Sequence, residues 1–236
     1  MHYNLLFNGC SFTWGAELEG INKDIEHRLT HRFSHLVSEK TGLTYANIAV
    51  AGSSNDRILR TTVEWFEEGN TCDHVIIQWT NRSRIEYLSE INIKSDTKKL
   101  PRYYDIFYTA RRFYSPEGVS ILNSYTNIQN NSNDQNNEDR CIYWMEKLLK
   151  DKCSFDYLKL RKETPFVSPD YLNIGTYHKY HTKSPITYII DDILKNSRIF
   201  YCDPVPGYPQ LKGGHPNRLG HRKIADYIIN NFEYFQ

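Results

Sequence analysis

The sequence predicts a three-layer α/β/α protein built on a parallel sheet. Three observations carry this reading. The first eighty residues alternate strand, helix, strand, helix, strand. That order implies parallel strands whose crossovers cover both faces of the sheet. The C-terminal part closes on another strand and helix. The chain has 236 residues, enough for one such domain with a full core.

The elements follow in order. Asn4–Asn8, with Leu5-Leu6-Phe7 inside it, reads as a buried strand. Asp24–Thr41 reads as a helix, because Leu29, Phe33, Leu36 and Val37 share one face and Gly42 supplies a stop. Thr44–Val50 reads as a second strand. Ser53 or Ser54 caps the next helix, which ends near Gly69. His74–Trp79 holds Val75-Ile76-Ile77 and reads as a third strand. Beyond it, Tyr103–Tyr114, Glu138–Lys152 and Pro185–Asn196 read as helices. The run Asn127–Asn137 is so polar that it reads as a solvated, mobile loop. Arg198–Cys202 reads as the last strand. Leu219–Phe232 reads as the last helix, with Ile224, Ala225, Ile228 and Phe232 on its apolar side. The expected organisation is one domain over 1–236, with a large insertion at roughly 90–190 between the third and last strands.

The bulk composition excludes several classes. A formal charge of +1 gives no broad attraction to nucleic acid or anionic lipid. No stretch is long and apolar enough to span a membrane, and no basic region precedes an apolar signal core. With a mean hydropathy of −0.64, the expectation is a soluble, cytoplasmic protein. The five cysteines, Cys10, Cys72, Cys141, Cys153 and Cys202, form no C-x-x-C pair. Their odd number argues against a disulfide framework or a zinc site and fits a reducing compartment. No phosphate-cradling glycine loop and no cluster of metal ligands is present, so neither a metal nor an organic cofactor is expected. The sequence leaves the oligomeric state open.

The chemistry gathers at strand ends. In an open parallel sheet, sites form beyond the C-terminal ends of the strands. Ser11 follows the first strand in Gly9-Cys10-Ser11, Gly52 follows the second, Asn81 follows the third in Trp79-Thr80-Asn81-Arg82, and His215 lies beyond the last strand. These types suit acyl transfer. An imidazole near neutral pH activates a serine hydroxyl. The Gly52 N–H, the Asn81 amide and the Ser11 N–H are candidate donors to the oxyanion. Cys10 is a rival nucleophile, but its place beside Ser11 points it to the opposite side.

The blocks Gly9-Cys10-Ser11, Gly52, Trp79-Thr80-Asn81-Arg82 and His215-Pro216-Asn217 with downstream Gly220-His221 resemble the SGNH hydrolases, also called the GDSL esterase/lipase family. Their wording is most similar to short SGNH-like proteins of phages and marine bacteria. The resemblance covers the first eighty residues and the last forty. It implies a flavodoxin-like sheet, Ser11 as nucleophile, His215 as base, and Ser11, Gly52 and Asn81 as the oxyanion hole. It gives His221 a structural role.

The chain departs from that pattern in one chemically important place. The family's D-x-x-H puts an aspartate at position 212, where this chain has Lys212. A lysine cannot accept the hydrogen bond that orients an imidazole. Three readings stand: a backbone carbonyl holds His215, another acid such as Asp203 reaches it, or catalysis is lost. Trp14 and Trp79 are candidates for stacking on a sugar, with core packing as the competing reading. Arg57, Arg82 and Arg84 are candidates for binding a substrate anion, or exposed helix arginines. The expectation is an esterase acting on a small-molecule or glycan ester, such as an O-acetyl group. A catalytically silent binding module and an acyltransferase using the same residues are the alternatives.

Overall fold

The structure, a computed structural model, describes residues 1–18, 24–81, 84–88, 103–106, 131–159, 187–195 and 214–236. Its elements in chain order are β1 (His2–Asn8), α1 (Ser11–Trp14), α2 (Ile25–His31), α3 (Phe33–Thr41), β2 (Tyr45–Asn47), α4 (Asn55–Glu67), β3 (Thr71–Trp79), β4 (Ile85–Leu88), β5 (Tyr103–Ile106), α5 (Asn131–Leu149), β6 (Ser154–Lys159), β7 (Thr187–Ile189), α6 (Ile190–Leu194) and α7 (Arg218–Asn231).

The main sheet runs β2-β1-β3-β6-β7, and every described pairing in it is parallel. This is the doubly wound order in which the chain steps first to one side of β1 and then to the other. Register is set by pairs such as Leu6 with Ala46 on β2 and with Val75 on β3. Alternation along β1 divides the interior. Leu5 and Phe7 face α3, α6 and α7, through Phe33, Val37, Ile193, Ile224 and Ile228. Leu6 faces the other layer with Val75 and Ile77, against Ile58 of α4 and Met145 and Leu149 of α5. Both apolar layers are thus products of the two-residue strand period. Each of these large buried side chains contributes about 1.5–3 kcal/mol.

The central stretch differs from the sequence reading. Tyr103–Ile106, expected to begin a helix, is a strand paired antiparallel with β4. Its aromatic and β-branched residues suit a strand. The asparagines from Asn131 to Asn137, expected in a loop, form the first turns of α5. Tertiary polar contacts anchor that end of the helix: Asn137 Nδ2 donates to Asp56 Oδ2 at 3.2 Å, and Arg140 reaches Asp56 Oδ1 at 3.2 Å. Strand β6, to which the sequence reading gave no element, lies between β3 and β7. Expected helix Pro185–Asn196 contains β7 followed by the short α6. The stretch 90–190 therefore supplies α5, β6 and β7 to the main body. The expected strand Arg198–Cys202 lies outside the described residues.

The expected helix Asp24–Thr41 is two helices. Arg32 adopts extended backbone (φ −70, ψ 146) and separates α2 from α3. A tertiary bond takes over there, with the Phe33 N–H donating to His221 Nδ1 at 3.1 Å. His221 is 0% exposed and stacks on the Phe33 ring. Burial, assisted by the neighbouring charges of His215, Arg32 and His31, lowers its pKa to about 3. The imidazole is therefore neutral, and Nδ1 is the acceptor.

An unfolded His221 takes up its proton near 6.5, whereas the folded one does so only near 3. Between those values the unfolded state binds more protons. Stability is therefore complete above about 6.5 and falls as pH drops, by up to about 1.4 kcal/mol per pH unit. Urea unfolding from pH 7.5 to 4.5 should show this slope in the wild type and a shallower one in His221→Asn. Equal slopes would place the acid sensitivity elsewhere.

Candidate active site

The turn after β1 is built from buried polar side chains. Asn8 closes the strand. Its amide lies 2.9 Å from Ile58 O, 3.0 Å from Thr61 Oγ1 and 2.9 Å from Thr62 Oγ1, all on α4. Its carbonyl accepts from the Gly9 N–H at 2.8 Å. On the adjacent strand β3, Gln78 is fully buried and its Oε1 faces three donors. These are the Cys10 N–H at 3.1 Å, the Cys10 thiol at 3.1 Å and the Thr13 hydroxyl at 3.2 Å. Gly9 has no room for a side chain. A Cβ there would lie 2.5 Å from Thr13 Oγ1 and 2.8 Å from Gln78 Cβ. The chain turns sharply and places Ser11 at the start of α1. Cys10, 0% exposed, donates its thiol to Gln78 Oε1, and its sulfur lies 3.8 Å from Ser11 Oγ.

Ser11 and His215 meet although 204 residues separate them. Ser11 Oγ lies 2.8 Å from His215 Nε2. Ser11 is 6% exposed, so the hydroxyl sits in a largely dry setting. The other ring nitrogen, Nδ1, lies 2.9 Å from Glu17 Oε1. That approach is bent and does not make a straight hydrogen bond. Phe12 packs against the imidazole with ring centroids 5.3 Å apart. Just after His215, Asn217 caps α7, its Oδ1 accepting from the Gly220 N–H at 3.0 Å.

Glu17 was not among the residues the sequence singled out. No spacing rule links it to His215; the only sequence signal is an acid six residues past the serine. Asp203 and Arg82, which were singled out, lie outside the described residues.

Gly52 and Asn81 sit on the loops after β2 and β3, the two strands that flank β1. Gly52 has φ +86, a conformation suited to glycine. Asn81 is exposed, and its carbonyl accepts from the Arg84 N–H at 3.1 Å. The two loops are bonded to each other. Buried Asn55 accepts from the Thr80 N–H at 2.9 Å, and Arg84 Nη1 reaches Ser53 O at 3.3 Å. Ser54, rather than Ser53, caps α4, accepting from the Arg57 N–H at 3.2 Å.

The two tryptophans part company. Trp79 is 0% exposed and packs edge-on against Tyr157, so it is a core residue and is not placed to stack on a sugar. Trp14 is half-buried, with the Arg28 guanidinium 3.5 Å above its ring. Arg57 and Arg84 are partly buried beside the Gly52 loop. Among the described residues no three His, Cys, Asp or Glu side chains gather as metal ligands, and no helix is long and apolar enough to cross a membrane.

The chain matches no family model and no curated protein. It does resemble solved structures. One is the psychrotrophic esterase EstA of Pseudoalteromonas sp., at 9% identity and a TM-score of 0.51, over 98% of this chain and 97% of that one. Another is LAE5, described as an alpha/beta hydrolase enzyme from the metagenome of Lake Arreo, Spain. It matches at 13% identity and a TM-score of 0.50, over 99% and 96% of the two chains. A lipolytic protein of the G-D-S-L family from Desulfitobacterium hafniense aligns at 11% identity and a TM-score of 0.49, over 96% and 98%. Identities this low speak to architecture alone. Its parallel β2-β1-β3-β6-β7 sheet, covered by helices on both faces, is the three-layer α/β/α architecture that the chain shares with EstA and LAE5.

Proposed function

We propose that this chain is a serine esterase. The observation that carries the reading is the 2.8 Å contact between Ser11 Oγ and His215 Nε2 at the C-terminal edge of the sheet. Ser11 Oγ attacks the ester carbonyl carbon while its proton passes to His215 Nε2. The bond to the alcohol oxygen then breaks, and His215 protonates that oxygen. A water gives its proton to the same nitrogen, attacks the acyl-enzyme and releases the acid, and Ser11 recovers its proton. The Ser11 N–H, the Gly52 N–H and the Asn81 amide are the donors proposed for the oxyanion. Each is worth roughly 3–4 kcal/mol of transition-state stabilisation. The cross-bonded loops that carry Gly52 and Asn81 support this, because preorganised donors need no rearrangement during the reaction.

The preferred substrate is an ester of a small acid, such as an O-acetyl group on a glycan. Half-buried Trp14, three residues from the serine, is the aromatic that supports a sugar-sized leaving group. Arg57 and Arg84 beside the Gly52 loop support substrates that carry an anion. The fold neighbour from Pseudoalteromonas is itself named an esterase and was crystallised inhibited by monoethylphosphonate. The silent-module reading stood on the missing acid at position 212. The Glu17 carboxylate 2.9 Å from His215 Nδ1 supports the esterase reading over that one.

Hydrolysis of p-nitrophenyl acetate tests the proposal. Ser11→Ala and His215→Ala should each lower kcat by about 10³-fold or more without shifting Tm. Mass spectrometry should find an alkylphosphonate adduct on Ser11. Wild-type turnover in Ser11→Ala would sink the assignment. Gly9→Ala should cost about 1–3 kcal/mol in stability, because Thr13 and Gln78 must yield. It should also lower kcat by displacing the serine. A variant as stable and active as the wild type would mean that the turn is soft.

A further inference from the structure

We propose that Glu17 is the residue that positions His215, so that nucleophile and acid are supplied by one local turn and no acid at position 212 is needed. This rests on the Ser-His reading above and names how that site is held. Glu17 Oε1 stands 2.9 Å from His215 Nδ1, on the side of the ring opposite Ser11. The ring therefore lies between a hydroxyl and a carboxylate, the order in which an imidazole takes a proton from one and has its charge balanced by the other.

The backbone is shaped for this placement. Ser11 O accepts from both the Gly15 N–H (3.0 Å) and the Ala16 N–H (2.8 Å), closing α1 on itself. Gly15 turns left-handed at φ +86, and Glu17 follows at φ +68. A non-glycine residue at that φ is uncommon and persists when its surroundings over-determine it. The surroundings are visible at Gly15. A Cβ there would meet Arg32 Cβ at 3.1 Å, Arg28 Cγ at 3.2 Å and Leu18 Cδ1 at 3.2 Å. The arginine stems press on the turn, and Arg28 also covers Trp14. Two left-handed conformations in three residues, the second at a non-glycine, thus fold the chain back from Ser11 and carry the carboxylate to the imidazole.

The carboxylate has capacity to spare. Glu17 Oε2 is buried and has no hydrogen-bond partner among the described residues. A carboxylate whose second oxygen is unsatisfied gains more from a cation forming beside it than one already fully bonded. Glu17 takes up no proton in the reaction. Its charge beside Nδ1 favours the ring's placement against Ser11 and stabilises the imidazolium while Nε2 holds the Ser11 proton. Among the described residues, Arg28 and His31 of α2, Arg32 at the α2–α3 joint and His221 of α7 are charged or titratable groups nearby. The arginines stay charged and His221 stays neutral through the working range. His31 is the same in every variant below.

The test compares wild type, Glu17→Gln, Glu17→Asp, Asp203→Asn and Ser11→Ala on p-nitrophenyl acetate across pH. Glu17→Gln should lower kcat by roughly 10²- to 10⁴-fold. KM should stay within about threefold, since the lost interaction belongs to the transition state. Glu17→Asp keeps the charge and tolerates positive φ, so it should recover part of kcat. A merely structural role would lower Tm and change KM along with kcat. Full kcat in Glu17→Gln overturns the proposal, as does the same loss in Asp203→Asn with Glu17→Gln intact. Those results with Ser11→Ala inactive would leave the esterase reading standing. An active Ser11→Ala would bring down the esterase reading itself.

Discussion

The buried carboxamide of Gln78 is the interaction on which the site depends. One oxygen receives the Cys10 N–H, the Cys10 thiol and the Thr13 hydroxyl. Its amide is also satisfied, donating to Trp79 O at 2.6 Å. Gln78 belongs to the strand beside β1, so the turn that presents Ser11 is fastened to the sheet itself. The parallel register of β1 and β3 sets where this fastening falls: Asn8 pairs with Ile77, one residue before Gln78. A shift of one residue would turn the carboxamide to the opposite face. Such a buried polar network holds one geometry because leaving any member unsatisfied is costly.

Polar side chains repeat this pattern around the sheet edge. Asn8 ties the end of β1 to α4. Asn47 ties the end of β2 to α1 and α3, donating to Thr13 O at 3.0 Å and to Ser34 Oγ at 2.7 Å. Asn55 ties the start of α4 to the end of β3. Each fastens the end of a strand to a neighbouring helix. Their amides supply the bonds that the sheet no longer can. The result is an edge stiff enough to hold small distances at Ser11 while the loops it carries are irregular.

The strands and the outer helices were legible because their signals are local. Leu5-Leu6-Phe7 and Val75-Ile76-Ile77 can only be buried, and strand alternation gave the layer order. Ser11, Gly52 and Asn81 could be singled out because each follows a strand, and His215 because an imidazole suits a serine hydroxyl. The rest depended on distant partners. Asn131–Asn137 reads as loop until Asp56 and Arg140 enter. The break at Arg32 is invisible without His221, 188 residues from Phe33 in sequence. Ser154–Lys159 alternates weakly, with Asp156 and Lys159 in it, and only pairing with β3 makes it a strand. Glu17 needed a left-handed backbone that its residue type does not announce. Trp79 looked available because it adjoins Asn81, yet the strand period turns it inward.

The 204-residue separation of Ser11 and His215 has a consequence for biogenesis. Ser11, Glu17, Gly52 and Asn81 all precede position 82, so the ribosome makes them well before His215. The imidazole comes later, at the head of α7, and α7 seats itself by packing on α3 and α6. A nascent chain, or one clipped before its final helix, would carry a serine with nothing to take its proton. On the proposed Ser-His reading, the pair exists only once α7 has packed, which ties the chemistry to the docking of one helix.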